Sequence, residues 1–313
     1  MDVLCIGSAV LDITARPIES RDMWREKQRI SEIQIQTGGD AANQSLRLAD
    51  LGCEAALAAA VGADQNGQML KHALDARGVR TEFLAVKEGI QTGTALVLVN
   101  GAGERHTFSV KGAHSFLSKE DVRAALLERP RAISLGSLFS MPELEADGLL
   151  EYLQAARKQK IPVFADLAAD KQRQGFEGIR PFLPLISYFL PSLYDALEMT
   201  GTGSAEEAAD QYLEAGAGCV VIKCGSQGCY LASAEGNSWI PAVPVEPVDT
   251  TGAGDCMVAL FISRILSGDT PKEACRYACV GASLSTLFPG ASGGRLTEER
   301  LRAWREEHQG WKY

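Results

Sequence analysis

Residues 248–260 read Val248-Asp-Thr-Thr-Gly-Ala-Gly-Asp-Cys-Met-Val-Ala-Leu260. Thr250 and Thr251 are natural N-cap residues, and three small residues follow them: Gly252, Ala253 and Gly254. Asp255 then falls in the first turn of Cys256–Leu266, a segment apolar nearly all round. This pattern predicts a buried helix whose start is bare backbone. Such a start carries unpaired N–H groups and the positive end of the helix dipole, which together bind anions. Glycine lets a phosphate come close to the main chain. A carboxylate one residue further on would repel that phosphate, so it needs a chemical reason to be there, and a base for the attacking group supplies one. An aspartate in a first turn is also ordinary helix stabilisation, and a motif this short does not separate the two readings.

Working outward, two long helices are predicted after the turn, Gly252–Ser267 and Thr270–Leu287, then a Gly-rich loop (Gly290, Gly293, Gly294) and a helix from Thr297. Upstream, from about Ser118, strands alternate with helices. Short apolar runs at 132–135, 163–165, 188–190 and 220–223 read as buried strands, and a hairpin-like stretch at 228–240 leads into the turn. Ser118 with Asp121, Ser204 with Glu207, and Thr270-Pro271 with Glu273 read as helix starts. Val3–Ile6 reads as a first buried strand followed by a loop, and Gly39-Asp40-Ala-Ala-Asn43 opens a helix that runs to about Leu51. This rhythm predicts a doubly wound, mostly parallel α/β sheet with ligands at the carboxyl ends of its strands. Two segments break it: 13–36, with alternating Ile30, Ile33 and Ile35, and 91–111, two strand patterns flanking the turn Gly101-Ala-Gly103. They predict a small β-sheet lid, and residues 1–12, 37–90 and 112–313 the core.

The 313 residues suffice for one large α/β domain with an ample core. A formal net charge of −9 argues against non-specific binding to nucleic acid or to anionic membranes. No uncharged apolar run is long enough to span a bilayer. The N-terminus lacks a basic segment before its apolar run and reads as a strand rather than a signal peptide. Most of the eight cysteines lie in apolar surroundings, as buried thiols do, which fits a reducing cytoplasm.

The longer string Asp249-Thr-Thr-Gly-Ala-Gly-Asp255 resembles, at every position, the second signature of the ribokinase-type (PfkB) carbohydrate kinases. Gly38-Gly39-Asp40-Ala-Ala-Asn43 resembles the first signature, and Lys223-Cys-Gly225-Ser-Gln-Gly228 the nucleotide-side turn. The resemblance implies a ribokinase-like fold and an ATP- and Mg2+-dependent phosphorylation of a sugar or sugar-acid hydroxyl. Asp255 would be the general base, and the Gly252, Ala253 and Gly254 amides would hold the transferred phosphoryl oxygens. Asp12, Gly39, Asp40 and Asn43 would contact the sugar, with Arg105 or His106 of the lid offsetting their charge. Ser192, Lys223, Gly225, Gly228 and Gly254 would face the nucleotide. Asp249 and Thr251 resemble positions that bind a monovalent cation, implying potassium, and a homodimer through the lid is a further implication.

Each role has a plain alternative in the same residues: a turn residue for Asp12, a first-turn charge for Asp40, a helix-surface amide for Asn43, a solvated strand-end charge for Lys223, and turn-shaping hydrogen bonds for Asp249 and Thr251. Two stretches depart from the family pattern. Ser192-Leu-Tyr-Asp195 stands where Asn-x-x-Glu commonly organises magnesium, leaving Asp195 to hold the ion through water. Asp166-Leu-Ala-Ala-Asp170 lacks the usual Asn and Arg. A nucleoside substrate, with Phe108, Phe139 or Tyr194 clamping its base, and a non-catalytic sugar or nucleotide sensor are the rival readings. A nicotinamide enzyme lacks its Gly-x-Gly-x-x-Gly fingerprint.

Overall fold

The computed structural model describes residues 1–19, 24, 26–102, 104–169 and 173–307. Gly103 of the expected hairpin turn and Asp170 lie outside them.

Nine strands form the larger sheet. In chain order they are β1 (Val3–Gly7), β4 (Ala55–Gly62), β5 (Leu84–Lys87), β8 (Ala132–Leu138), β9 (Val163–Leu167), β10 (Tyr188–Phe189), β11 (Cys219–Lys223), β12 (Cys229–Ser233) and β13 (Gly236–Ile240). Their order across the sheet is β13-β12-β11-β10-β9-β8-β1-β4-β5. Every pairing from β5 to β11 is parallel, and β12 and β13 add an antiparallel hairpin at one edge. The central strands are wholly buried, as strands covered on both faces must be. Alternate residues divide the core: Val3, Cys5 and Leu57 pack towards one layer of helices, and Leu4, Ile6 and Ala58 towards the other.

On the first side lie α1 (Asp40–Asp50), α2 (Gln65–Asp75), α9 (Ala253–Leu266), α10 (Pro271–Ser285) and α11 (Glu298–Glu307). On the other lie α3 (Lys119–Leu127), α4 (Pro142–Ala146), α5 (Leu149–Lys158), α6 (Gly175–Ile179), α7 (Leu193–Thr200) and α8 (Ala205–Glu214). The expected starts of α3 and α10 are capping boxes, Ser118 with Asp121 and Thr270 with Glu273, while Ser204 caps α8. Strand β5 has no counterpart among the expected elements.

The small sheet has the order β3-β2-β6-β7: Glu32–Gly38, Val10–Arg16, Gly93–Val99 and Arg105–Val110. β2 pairs antiparallel with β3 and parallel with β6, and β6 and β7 form a hairpin. Asp12 sits inside β2, not in a loop. Registers Ile13↔Ile35, Ile13↔Leu96 and Leu96↔Phe108 gather the large apolar residues on one face. Alternation sends Asp12, Gln36 and Arg105 to the opposite face, and their partners place that face towards the large sheet. No helix among the described residues is long and apolar enough to cross a membrane.

Candidate active site

The sheet reverses its winding between β1 and β8, and that crevice is where a doubly wound sheet binds ligands. Ser8, just beyond β1, and Ser137, near the end of β8, meet across it with their hydroxyls 2.8 Å apart. Ser137 holds a left-handed backbone (φ 76°), a strained state for a residue with a side chain. Its hydroxyl donates to Asp40 Oδ2 at 2.6 Å, and the Asp40 amide donates to Ser8 Oγ at 3.1 Å. The start of α1 is thus fixed over the crevice, with Gly39 as its N-cap.

Helix α9 meets the same place from the other side. Gly252, at φ 72°, is its N-cap, and a Cβ there would stand 2.6 Å from Ala291 Cα. Thr250 and Thr251, expected as caps, make no side-chain cap: the Thr251 hydroxyl turns back to Asp249 Oδ1 at 2.6 Å. The three expected anion donors are also revised. The Ala253 N–H turns back to Thr250 O at 3.3 Å, whereas the amides of Gly252, Gly254 and Asp255 meet no protein acceptor among the described residues. The unspent donors lie one residue to either side of Ala253 and on Asp255 itself.

Asp255 is buried but does not point into hydrocarbon. Asn43 Nδ2 donates to its Oδ2 at 2.8 Å, and Gln44 Nε2 to its Oδ1 at 3.3 Å. Ser134 on β8 orients Gln44 by donating to its Oε1 at 2.7 Å. The sequence offered no separate signal for Gln44, which follows Asn43 on a helix buried over most of its surface. Asn43 Oδ1 is buried with no partner among the described residues, an acceptor waiting for a donor.

Lys223 ends β11 and forms an ion pair with Asp166 at the end of β9. Its Nζ lies 3.4 Å from where a Cβ on Gly254 would be, which puts the ammonium beside the start of α9. Gly225 opens the 3-10 turn between β11 and β12, and Gly228 follows it. Ser192, just beyond β10, bridges to Lys223 at the end of β11 and caps α7, accepting from the Asp195 amide at 3.1 Å while its hydroxyl donates to Asp195 Oδ2.

Asp12, Asp40, Asp166, Asp195 and Asp255 therefore share one neighbourhood with Lys223. Burial, aided by Asp40, pushes the Asp12 carboxyl up to about 6. Burial and then Asp166 raise Asp40, against the Ser137 hydrogen bond and Lys223. Burial raises Asp195 against its bond from Ser192. Burial, then Asp40 and Asp166, raise Asp255 well above the ordinary carboxylate range, against Asn43 and Lys223. Burial and the neighbouring carboxylates together outweigh Asn43 and Lys223 in setting that direction.

Two further expectations are revised. Arg105 does not reach into the Asp12–Asp40 crevice; its guanidinium pairs with Asp249 Oδ1 and Thr251 Oγ1. His106 lies on the other face of β7, edge-on to Phe108 with ring centroids 4.7 Å apart. Asp249 and Thr251, expected to face a monovalent cation, face that arginine. Burial would raise Asp249, but bonds from the Thr251 hydroxyl and the Thr251 and Gly290 amides, with the Arg105 charge, hold it below its usual value.

Fold and site define a class, a doubly wound α/β protein with unspent N–H groups at a helix start and a buried acid at the carboxyl ends of its strands. The chain belongs to the pfkB family of carbohydrate kinases, whose model matches residues 1–298. It is 32% identical to mouse ribokinase over 273 residues, covering 82% of this chain and 79% of that one. Identity to Bacillus subtilis ribokinase is 27% over 300 residues, 96% of this chain and 98% of the relative. The structure of Arabidopsis thaliana ribokinase complexed with ribose and ATP superposes with a TM-score of 0.81 at 24% identity, covering 96% of this chain and 97% of that one. The chain is thus a carbohydrate kinase of this family, a phosphotransferase acting on a sugar.

Proposed function

We propose that this enzyme transfers the terminal phosphoryl group of ATP to a hydroxyl of a neutral sugar, with Asp255 as general base. The observation that carries the reading is the setting of Asp255: both its oxygens are held by side-chain amides of α1, and unspent N–H groups lie beside it. Phosphoryl transfer needs positioning and charge stabilisation more than covalent chemistry. The amides of Gly252, Gly254 and Asp255, fixed before substrate arrives, would receive the developing charge on the phosphoryl oxygens. Lys223, held beside Gly254 by Asp166, adds a positive charge there.

On the acceptor side, a sugar hydroxyl would donate to Asn43 Oδ1, and the carboxylates of Asp12 and Asp40 would take neighbouring hydroxyls. The neutral sugar is preferred to a sugar acid because Arg105 and Lys223 are spent on Asp249 and Asp166. A second anion would meet Asp12 and Asp40 without an offsetting charge. The nucleoside reading lacks support from its three clamp candidates: Phe108 lies on the outward face of the small sheet, Phe139 is buried in the core, and Tyr194 is 71% exposed on α7.

Magnesium brought with the nucleotide would spread the phosphate charge. Asp195, with one oxygen not taken by Ser192, would hold it through water, because Mg2+ keeps much of its water shell and needs few protein carboxylates. An ATP-consumption screen with neutral aldoses and ketoses, sugar acids and nucleosides tests the reading. Turnover is expected with a neutral sugar, and a sugar acid or nucleoside turned over in its place would reject it.

The small sheet would serve as the lid of this site and as the surface on which two copies meet. Its outward face presents Ile33, Ile35, Leu96, Phe108 and Val110, the first 65% exposed. A contiguous apolar face of this kind is uncommon on a monomer. Phe108→Asp is expected to shift a dimer to monomer in sedimentation equilibrium, and a wild-type chain that sediments as a monomer would end that proposal.

A further inference from the structure

The sheet edge that carries Arg105 and the turn that begins α9 are joined by charge, although 146 positions separate Arg105 from Thr251. Asp249 already accepts from four donors. Oδ1 takes Arg105, the Thr251 amide at 2.9 Å and the Thr251 hydroxyl at 2.6 Å; Oδ2 takes the Gly290 amide at 2.9 Å. Oδ1 is thus fully taken, while Oδ2 keeps one lone pair. Carbonyls of the loop 291–294 are held by two other arginines. Buried Arg47 donates to Gly294 O at 2.6 Å, Gly293 O at 2.8 Å and Ala291 O at 3.0 Å, and Arg77 donates to Ser292 O at 3.0 Å. A desolvated monovalent cation needs a ring of such oxygens. With Arg105 in place the residues here do not fit one, because its guanidinium already holds Asp249; without it Asp249 is open, and each loop carbonyl keeps a second lone pair.

We propose that Arg105, delivered from strand β7 of the small sheet, takes the place of a monovalent cation at Asp249. The phosphoryl-binding turn is then ordered by closure of the sheet over it and not by potassium. The small sheet grips the same loop at two other points: the Thr37 and Ser292 hydroxyls lie 3.0 Å apart, and Gln36 Oε1 lies 1.5 Å from where a Cβ on Gly290 would be. Gly290 is therefore the residue that lets β3 settle on the loop. The proposal rests on the kinase reading only for its activity arm.

Two measurements test it, on wild type and Arg105→Met, in potassium chloride and in tetramethylammonium chloride at equal ionic strength. The first is thermal unfolding without substrate, which needs no turnover. The wild type should melt at the same temperature in both salts, and Arg105→Met should melt lower in tetramethylammonium with a recovery specific to potassium. The second is the rate of ATP consumption, expected within about twofold between salts for wild type and at least tenfold higher in potassium for the variant. A potassium-specific rise in the wild-type melting temperature, or a tenfold potassium activation of wild type, overturns the proposal. A variant whose melting is the same as wild type in both salts, or whose loss potassium does not reverse, also overturns it. Absence of turnover with every sugar would reject the kinase reading and leave the melting comparison standing.

Discussion

Asp255→Asn should lower turnover by about 10²–10⁴-fold, the usual contribution of a positioned base, while nucleotide affinity stays near that of wild type. Loss of fold would not explain that loss. Burial and the neighbouring Asp40 and Asp166 raise the Asp255 carboxyl in the folded chain. A carboxyl raised on folding contributes stability that is fully present below its unfolded value and is lost as pH climbs through its folded one. The asparagine variant escapes that loss, so at pH 8 it should melt no lower than wild type. Its new amide also finds an acceptor if Asn43 turns to present its free Oδ1. The same shift places the acid limb of the rate profile. A base must be unprotonated to act, so kcat/KM should fall on acidification through values well above the ordinary carboxylate range. Asp12, at about 6, adds a second loss of charge on the sugar side. Isothermal titration with a non-hydrolysable ATP analogue, steady-state rates and melting curves give the three readouts. A variant that turns over at near-wild-type rate would remove Asp255 from the chemistry.

The elements that local pattern specifies were legible in the sequence. Buried strands such as β1, β8, β9 and β11 are apolar runs bounded by turn residues. The starts of α3, α8 and α10 carry their own capping groups. Strand β5 was not legible, since Leu84–Lys87 is four residues long and only part-buried at a sheet edge. Asp12 looked like a loop residue because β2 is covered on one face by the site and not by a core, which blurs its alternation. At the site, the residue types and the helix start were visible. What the start does in detail was not, because it depends on where a few N–H groups turn: Ala253 turns back to Thr250, and Thr251 to Asp249. The charges were least visible of all. Whether Arg105 meets a sugar or Asp249, and whether Asp255 is ionised, depends on groups far off in the chain that no local spacing encodes.

Arg47→Met is expected to cost about 3–5 kcal/mol of stability, although residue 47 touches no site group directly. Arg47 is 1% exposed, between Leu46 and Leu48 on a helix with little free surface. Its guanidinium donates to three carbonyls of the loop 291–294 and lies 3.7 Å from Asp50, whose side chain is fully buried. Methionine fills most of the volume, so the loss is chiefly electrostatic: three carbonyls lose charged donors, and the buried one at Ala291 has no water to replace it. Arg77 and Arg295 still face Asp50, which keeps the cost below that of a stranded carboxylate. Arg47 Nε has no acceptor among the described residues, and this also trims what the side chain contributes. The consequence reaches the site through Ala291, which packs against Gly252 at the start of α9. A loop released from Arg47 lets Ala291 drift and loosens the turn that presents the Gly254 and Asp255 amides. Turnover should therefore drop even at temperatures where the variant remains folded, and Arg47→Lys, with a charge but no fork, should recover less than half of the stability. Equilibrium urea unfolding of the three proteins decides this, and a methionine variant within about 1 kcal/mol of wild type would show that the carbonyls find other donors.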